Sequence, residues 1–235
     1  MRIHYLQHVA FEGPGSIEQW AKNRGHELAG IRLYAGDSFP NQTEVDWLIV
    51  MGGPMNVYST RQYPWLIAEK HFIKETIEQN KIVLGICLGA QLLADVLGTA
   101  ITTNPYKEIG WFPVMKSDEL AGSALSSALP DEFEAFHWHG DTFSLPEGSL
   151  PVASSPACEN QGFLYGDSVL ACQFHLETTV DGAISLIDNC AGEIIDGPYV
   201  QTTEHILTDD RKFQRINRIM EEVLNYLESL ADKLY

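Results

Sequence analysis

The sequence predicts an α/β fold of three layers, with helices on both faces of a central, mostly parallel sheet that carries a nucleophile elbow. Three features predict it. In the first half, short apolar runs alternate with helical patterns, and strands separated by helices pair in parallel. Two of the runs, residues 47–51 (WLIVM) and 81–86 (KIVLGI), are apolar nearly throughout, as strands buried on both faces are. Where the second run ends, a cysteine stands between glycines at a spacing of two, the arrangement that turns a strand sharply into a helix.

The elements follow in order. Residues 3–9 make the first expected strand, and Ser16 is the expected N-cap of a helix through Arg24. Residues 31–34 are the second strand. The run 47–51 stops at Gly52-Gly53-Pro54. Residues 65–79 then carry Leu66, Ile67, Phe72, Ile73 and Ile77 at helical spacing, which predicts a helix with one apolar stripe. The strand 81–86 leads into a helix over 88–97, ended by Gly98. The second half is richer in strands, with candidates at 111–115, 133–138, 151–154 and 169–174, several set off by Gly, Pro or Asp. Helices return at 180–190 and 211–230. The last is amphipathic, with Ile219, Val223, Leu224 and Leu227 beside Glu221, Glu222 and Glu228, and is expected to pack on its own domain. No linker, low-complexity stretch or repeat interrupts the chain. Residues 1–235 therefore read as one domain, a catalytic core over 1–194 and a helical extension over 195–235.

Composition narrows the function. A chain 45% hydrophobic and 20% charged can bury a substantial core. Its 32 acidic residues outnumber 15 basic ones for a net charge of −17, which argues against nucleic acid or an anionic membrane as partner. No stretch approaches the roughly 18 consecutive apolar residues of a membrane helix. Residues 1–9 lack the apolar centre of a secretory signal, so a cytoplasmic location is expected. Four cysteines, Cys87, Cys158, Cys172 and Cys190, do not make a disulfide framework in a chain this long, and no C-x-x-C pair suggests zinc. No metal or cofactor is expected.

The chemistry centres on Gly85-Ile86-Cys87-Leu88-Gly89-Ala90-Gln91. Side chains in place of the two glycines would collide with the neighbouring strands and helix, so the turn can hold Cys87 in a strained, exposed position. The start of the following helix favours a thiolate, and the Leu88 N–H is suited to hold an oxyanion. A thiolate in acyl transfer needs a base, and the base an orienting group. His175-Leu176-Glu177 supplies both at the end of the strand 169–174, because residues two apart on an extended segment face the same way. A lone histidine on an apolar strand reads as a core residue; the glutamate and the upstream elbow reverse that reading. Gly52-Gly53-Pro54 alone is a plain turn, but beside the elbow its N–H groups can complete an oxyanion hole.

Taken together, the motifs resemble the class I, triad-type glutamine amidotransferases. They are G-G-P-M-N-V at 52–57, G-I-C-L-G-A-Q at 85–91, H-G-D at 139–141 and Q-F-H-L-E at 173–177. The resemblance spans residues 1–194 and is nearest to the glutaminase domain of GMP synthase and its free-standing relatives. It implies a flavodoxin-like fold and a site in which Cys87 attacks the glutamine amide to form a γ-glutamyl thioester. His175 would protonate the departing ammonia and then activate water, with Glu177 orienting it. The resemblance further implies Gly53 and Leu88 N–H groups at the oxyanion, Gln91 positioning the substrate, and His139 and Asp141 near its amino-acid end. His137 and His139 alternate on one face, and either fits a plain polar lining as well. Asn56 departs from the serine common in that family.

Three functions fit this reading. One is a glutaminase that passes ammonia to a separate synthetase partner, since no phosphate-binding glycine loop or ATP-pyrophosphatase motif is present. Another is a stand-alone hydrolase of γ-glutamyl amides or peptides, with the same triad. The third is a non-catalytic binding protein of the same fold, disfavoured by the intact Cys, His and Glu.

Overall fold

The computed structural model describes residues 1–231. The chain opens with β1 (Arg2–Gln7), α1 (Ser16–Arg24) and β2 (Glu27–Arg32), followed by β3 (Trp47–Val50) and α2 (Trp65–Glu78). Then come β4 (Ile82–Ile86), α3 (Leu88–Val96), β5 (Ile101–Lys116), β6 (Glu132–Phe143) and β7 (Ser149–Ser154). β8 (Gly162–Tyr165), β9 (Val169–Cys172), α4 (Val180–Cys190), α5 (Thr203–Ile206) and α6 (Arg211–Ser229) complete the helices and strands.

The strands form one sheet in the order β2-β1-β3-β4-β9-β8-β7-β5-β6. From β2 to β9 all neighbours are parallel; from β9 to β6 they are antiparallel. Helix crossovers account for the first half and hairpins for the second. β9 enters the sheet beside β4 although more than eighty residues separate them in sequence, which brings the segment after it to the same sheet end as the segment after β4. In open α/β sheets that carboxyl end is where ligands bind.

Burial on both faces makes the layers. Ile17 and Trp20 of α1, Leu186 of α4, and Phe213, Ile216, Met220 and Leu224 of α6 pack with Ile3, Trp47, Ile49 and Leu84 on one face. Leu66, Phe72 and Ile73 of α2 and Leu92 and Leu93 of α3 pack with Leu6, Leu48, Val50 and Val83 on the other. Alternate residues of β1, β3 and β4 thus feed opposite cores, which explains why β3 and β4 are apolar throughout. No described helix is long and apolar enough to cross a membrane.

Several expected elements are corrected in detail. Ser16 is the first residue of α1 rather than its N-cap; Gly15, at φ 55°, occupies the cap and makes no side-chain bond. The second strand is Glu27–Arg32, because this edge strand pairs through its backbone with β1 while residues 33–35 turn as a 3₁₀ helix. Ile67 is exposed, and the buried face of α2 instead includes Glu69 and Thr76. β5 and β6 are far longer than their apolar segments, since the hairpin extends them with polar residues. β8 was not expected at all. β9 ends at Cys172, and His175 then makes an isolated bridge to Phe136 of β6. Residues 232–235 of the expected extension lie outside the described residues.

Candidate active site

The elbow forms where β4 gives way to α3. Cys87 has φ 53° and ψ −108°, a backbone conformation that costs a non-glycine residue about 1–3 kcal/mol and persists only where the surroundings fix it. Here they do. The Cys87 N–H donates to Cys172 O at 2.8 Å and the Gly89 N–H to Met51 O at 3.1 Å, so β9 and the end of β3 both hold the turn. A Cβ on Gly89 would stand 2.0 Å from Val50 O, and one on Gly85 would stand 2.6 Å from Leu93 Cδ1. Only glycine lets the helix start this close to the sheet.

The Cys87 thiol donates to Trp138 O at 3.7 Å and shares one cavity with His175. His175 Nδ1 donates to Glu177 Oε1 at 2.6 Å, and all three residues are buried. Burial alone pulls the His175 imidazole toward its neutral form. The Glu177 charge, the nearby Cys87 side chain and the hydrogen bond to Glu177 outweigh it and hold the pKa well above the usual histidine value. Glu177 is itself fixed. Its Oε2 accepts from the Leu176 N–H at 3.1 Å, and its backbone carbonyl accepts from the Ser16 N–H at 2.8 Å. Asn217 of α6 donates to the carbonyls on either side of it, Leu176 O and Thr178 O.

The backbone N–H groups of Gly53 and of Leu88, the residue after Cys87, donate no hydrogen bond within the described residues. Gly53 lines a cavity of about 380 Å³ together with Cys87, His175, Gln91, His139 and Asp141, so these predicted site residues meet in one place. Gln91 Nε2 donates to Gln173 Oε1 at 3.1 Å and reaches Asp141 O at 3.5 Å. Asn56, the departure from the family pattern, donates to Asp141 Oδ2 at 3.0 Å and so orients that carboxylate.

His137 does not line the cavity. It is buried behind it, and burial pushes its pKa down to about 3, so the ring is neutral. With His139 and Glu108 it forms the one group among the described residues whose donor atoms could hold a metal, all within 4.8 Å. Of these donors the Glu108 carboxylate is engaged, whereas both ring nitrogens of His137 are buried with no hydrogen-bond partner among the described residues. Glu108 accepts from Ser155 Oγ at 2.7 Å and Gln161 Nε2 at 2.6 Å, and His139 Nε2 lies 3.0 Å from it. These contacts hold the Glu108 pKa below the carboxylate norm although burial works against it. Glu108 thereby links β5 to the β7–β8 connection, and with the Nδ1 bond of His139 to Asp141 O at 3.1 Å it holds the His139 ring at the cavity wall.

Sequence reasoning missed four buried or half-buried side chains around the site. Glu12 lines the cavity, and burial raises its pKa. A Cβ on Gly52 would stand 2.4 Å from Glu12 Oε2, 3.3 Å from His175 Cε1 and 3.6 Å from Cys87 Cβ, so the three border one small space. Glu12, His175 and Leu186 also line an adjoining cavity of about 410 Å³. His8, at the end of β1, bonds Gly52 O at 2.9 Å and Glu69 Oε1 at 2.7 Å. Burial lowers its pKa, but the Glu69 charge and both hydrogen bonds outweigh this and leave it raised. Glu108 is the fourth. The one signal for Glu69 in the sequence is a glutamate three residues past Leu66 and three before Phe72, on the apolar side of α2.

The family model described as "Glutamine amidotransferase class-I" matches residues 15–191. The glutamine amidotransferase-like protein YfeJ of Salmonella typhimurium is 35% identical over 200 residues, covering 83% of this chain and 84% of that protein. The glutamine-hydrolyzing GMP synthase of Bdellovibrio bacteriovorus is 29% identical over 161 residues, 68% of this chain but only 29% of that longer protein. The solved structure of SMU.1228c superposes with a TM-score of 0.91 at 32% identity, covering 97% of this chain and all of that one.

Proposed function

The chain belongs to the class-I glutamine amidotransferase family, and from that premise we propose that it hydrolyses the side-chain amide of glutamine through a γ-glutamyl thioester on Cys87. Family membership supports glutaminase-type chemistry in general. The specific reading rests on one observation: the strained elbow cysteine shares a cavity with His175, whose Nδ1 donates to Glu177.

In this reading Cys87 Sγ, as thiolate, adds to the amide carbon, and the carbonyl oxygen takes the negative charge opposite the Gly53 and Leu88 N–H groups. The C–N bond breaks as His175 gives its proton to the nitrogen, and ammonia leaves. His175 then takes a proton from water, the hydroxide adds to the thioester, and the C–S bond breaks to release glutamate and restore the thiolate. Glu177 keeps Nδ1 as the donor, so the other ring nitrogen faces the reacting atoms. Gln91, His139 and Asp141 hold the amino-acid end of the substrate from the cavity wall. The ammonia goes to a separate synthetase.

A second reading is favoured by the adjoining cavity. It shares Glu12, His175 and Leu186 with the thioester site and gives room for a group larger than ammonia. Hydrolysis of a γ-glutamyl amide or peptide uses the same residues and changes only the leaving amine. One assay set tests both: glutamate release from glutamine and from γ-glutamyl dipeptides, for wild type and Cys87→Ala. Loss of essentially all turnover in Cys87→Ala is expected, since nucleophile and base act as a unit. Equal activity in the variant would end the proposal, and the better wild-type substrate chooses between the readings.

A further inference from the structure

The buried pair His8–Glu69 is unused by the chemistry above, and its cost needs an explanation. Glu69 sits on the inward face of α2 with its side chain fully buried, and its Oε2 has no hydrogen-bond partner. His8 is equally buried and stacks on Trp65, with ring centroids 5.7 Å apart. Burying such a pair is expensive and often no better than apolar packing. A carbonyl oxygen can only accept, so His8 Nδ1 donates to Gly52 O at 2.9 Å.

That acceptor is the point of interest. Gly52 O and the Gly53 N–H belong to one planar peptide unit and lie on opposite sides of it. A peptide between two glycines can rotate as a plane at little cost, because neither flanking residue has a Cβ to forbid the flipped form. Fixing the direction of the carbonyl fixes the direction of the N–H. We propose that the His8–Glu69 pair is a positioning device for the oxyanion hole, holding the Gly52–Gly53 peptide with its N–H toward Cys87. The chain Glu69–His8–Gly52 O also polarises that peptide, which strengthens its N–H as a donor. The packing agrees, since a Cβ on Gly53 would stand 3.0 Å from His8 Cβ and 3.1 Å from Leu88 Cδ2. This inference rests on the reading of Gly53 as an oxyanion donor.

Two substitutions separate the roles of the His8 ring nitrogens. In His8→Asn the amide nitrogen takes the place of Nδ1 and can still donate to Gly52 O. In His8→Gln it takes the place of Nε2 and reaches toward Glu69 instead. Each variant is assayed with glutamine and with γ-glutamyl-p-nitroanilide for kcat and KM, with thermal unfolding and iodoacetamide labelling of Cys87 alongside. Alkylation by iodoacetamide forms no oxyanion and reports the nucleophile alone. The expected result for His8→Gln is a kcat lower by about 100-fold, the usual effect of losing one oxyanion donor, with KM and the alkylation rate held. His8→Asn should recover a large part of that loss. Glu69→Gln, which keeps the size of the side chain, should lower kcat less than His8→Gln. Equal kcat values for wild type and a folded His8→Gln would overturn the positioning role, as would losses in Asn and Gln variants that both track a fall in melting temperature. A wild type inert towards both substrates, and towards γ-glutamyl dipeptides, would instead remove the oxyanion reading, and the positioning role with it.

Discussion

At the scale of single residues, the site sets a histidine–carboxylate pair against the cost of its burial. His175 holds its proton more tightly than a free imidazole because the Glu177 carboxylate lies 2.6 Å from Nδ1. Its pKa in the fold is above the 6.5 of a free imidazole. The folded state therefore binds this proton more tightly than the unfolded chain, and the stabilisation is complete below pH 6.5 and fades as pH rises through the folded value. Glu177→Gln removes the charge that raises this pKa. The stability advantage of wild type over that variant should be largest near pH 6 and shrink as pH rises through the folded-state value, read by denaturant unfolding at each pH. An advantage that grows with pH would contradict the assignment. Cys87, His175 and Glu177 were legible in sequence because each lies in a short motif whose spacing encodes its geometry. His8 and Glu108 were not, because their partners are 44 to 61 residues away for His8 and 29 or more for Glu108, and no local pattern marks them.

At the scale of elements, the elbow sets how closely α3 may approach the sheet. Gly89 is the tightest point, with backbone of β3 where its Cβ would be. Gly89→Ala should destabilise the fold by about 3 kcal/mol or more, because a backbone carbonyl cannot yield as a side-chain tip can. Gly122→Ala, with nothing within 4 Å of its new Cβ, is the control and should change stability by under about 0.5 kcal/mol. Urea unfolding of both variants measures the contrast. β3 and β4 were readable because burial on both faces leaves an unbroken apolar run. β2 was misplaced since an edge strand of sequence ELAGIR needs few apolar residues, and its pairing with β1 lies in the backbone. Most of β5 was missed for a similar reason: residues 102–108 are polar, and the register shift between Thr103 and Glu108 breaks the alternation that marks a strand.

At the scale of the molecule, the C-terminal helix is tied to the site. α6 buries Phe213, Ile216, Met220, Val223, Leu224 and Leu227 in the core under the sheet, as its amphipathic pattern leads one to expect. Asn217 on the same helix carries the bonds to Leu176 O and Thr178 O, which no pattern announces. Asn217→Leu should therefore cost about 1–3 kcal/mol through the two orphaned carbonyls and lower kcat through a loosened Glu177, with denaturation and steady-state kinetics as the readouts. The central claim concerns Cys87 itself, and one measurement reaches it directly: rapid quenching of wild type during turnover of glutamine, followed by mass spectrometry of the peptide that carries Cys87. The account predicts a mass increase of one γ-glutamyl group on Cys87, absent in the Cys87→Ala variant and absent from Cys158, Cys172 and Cys190. Glutamate released from wild type with no adduct on Cys87 at any time point, or with the adduct on another cysteine, would contradict it.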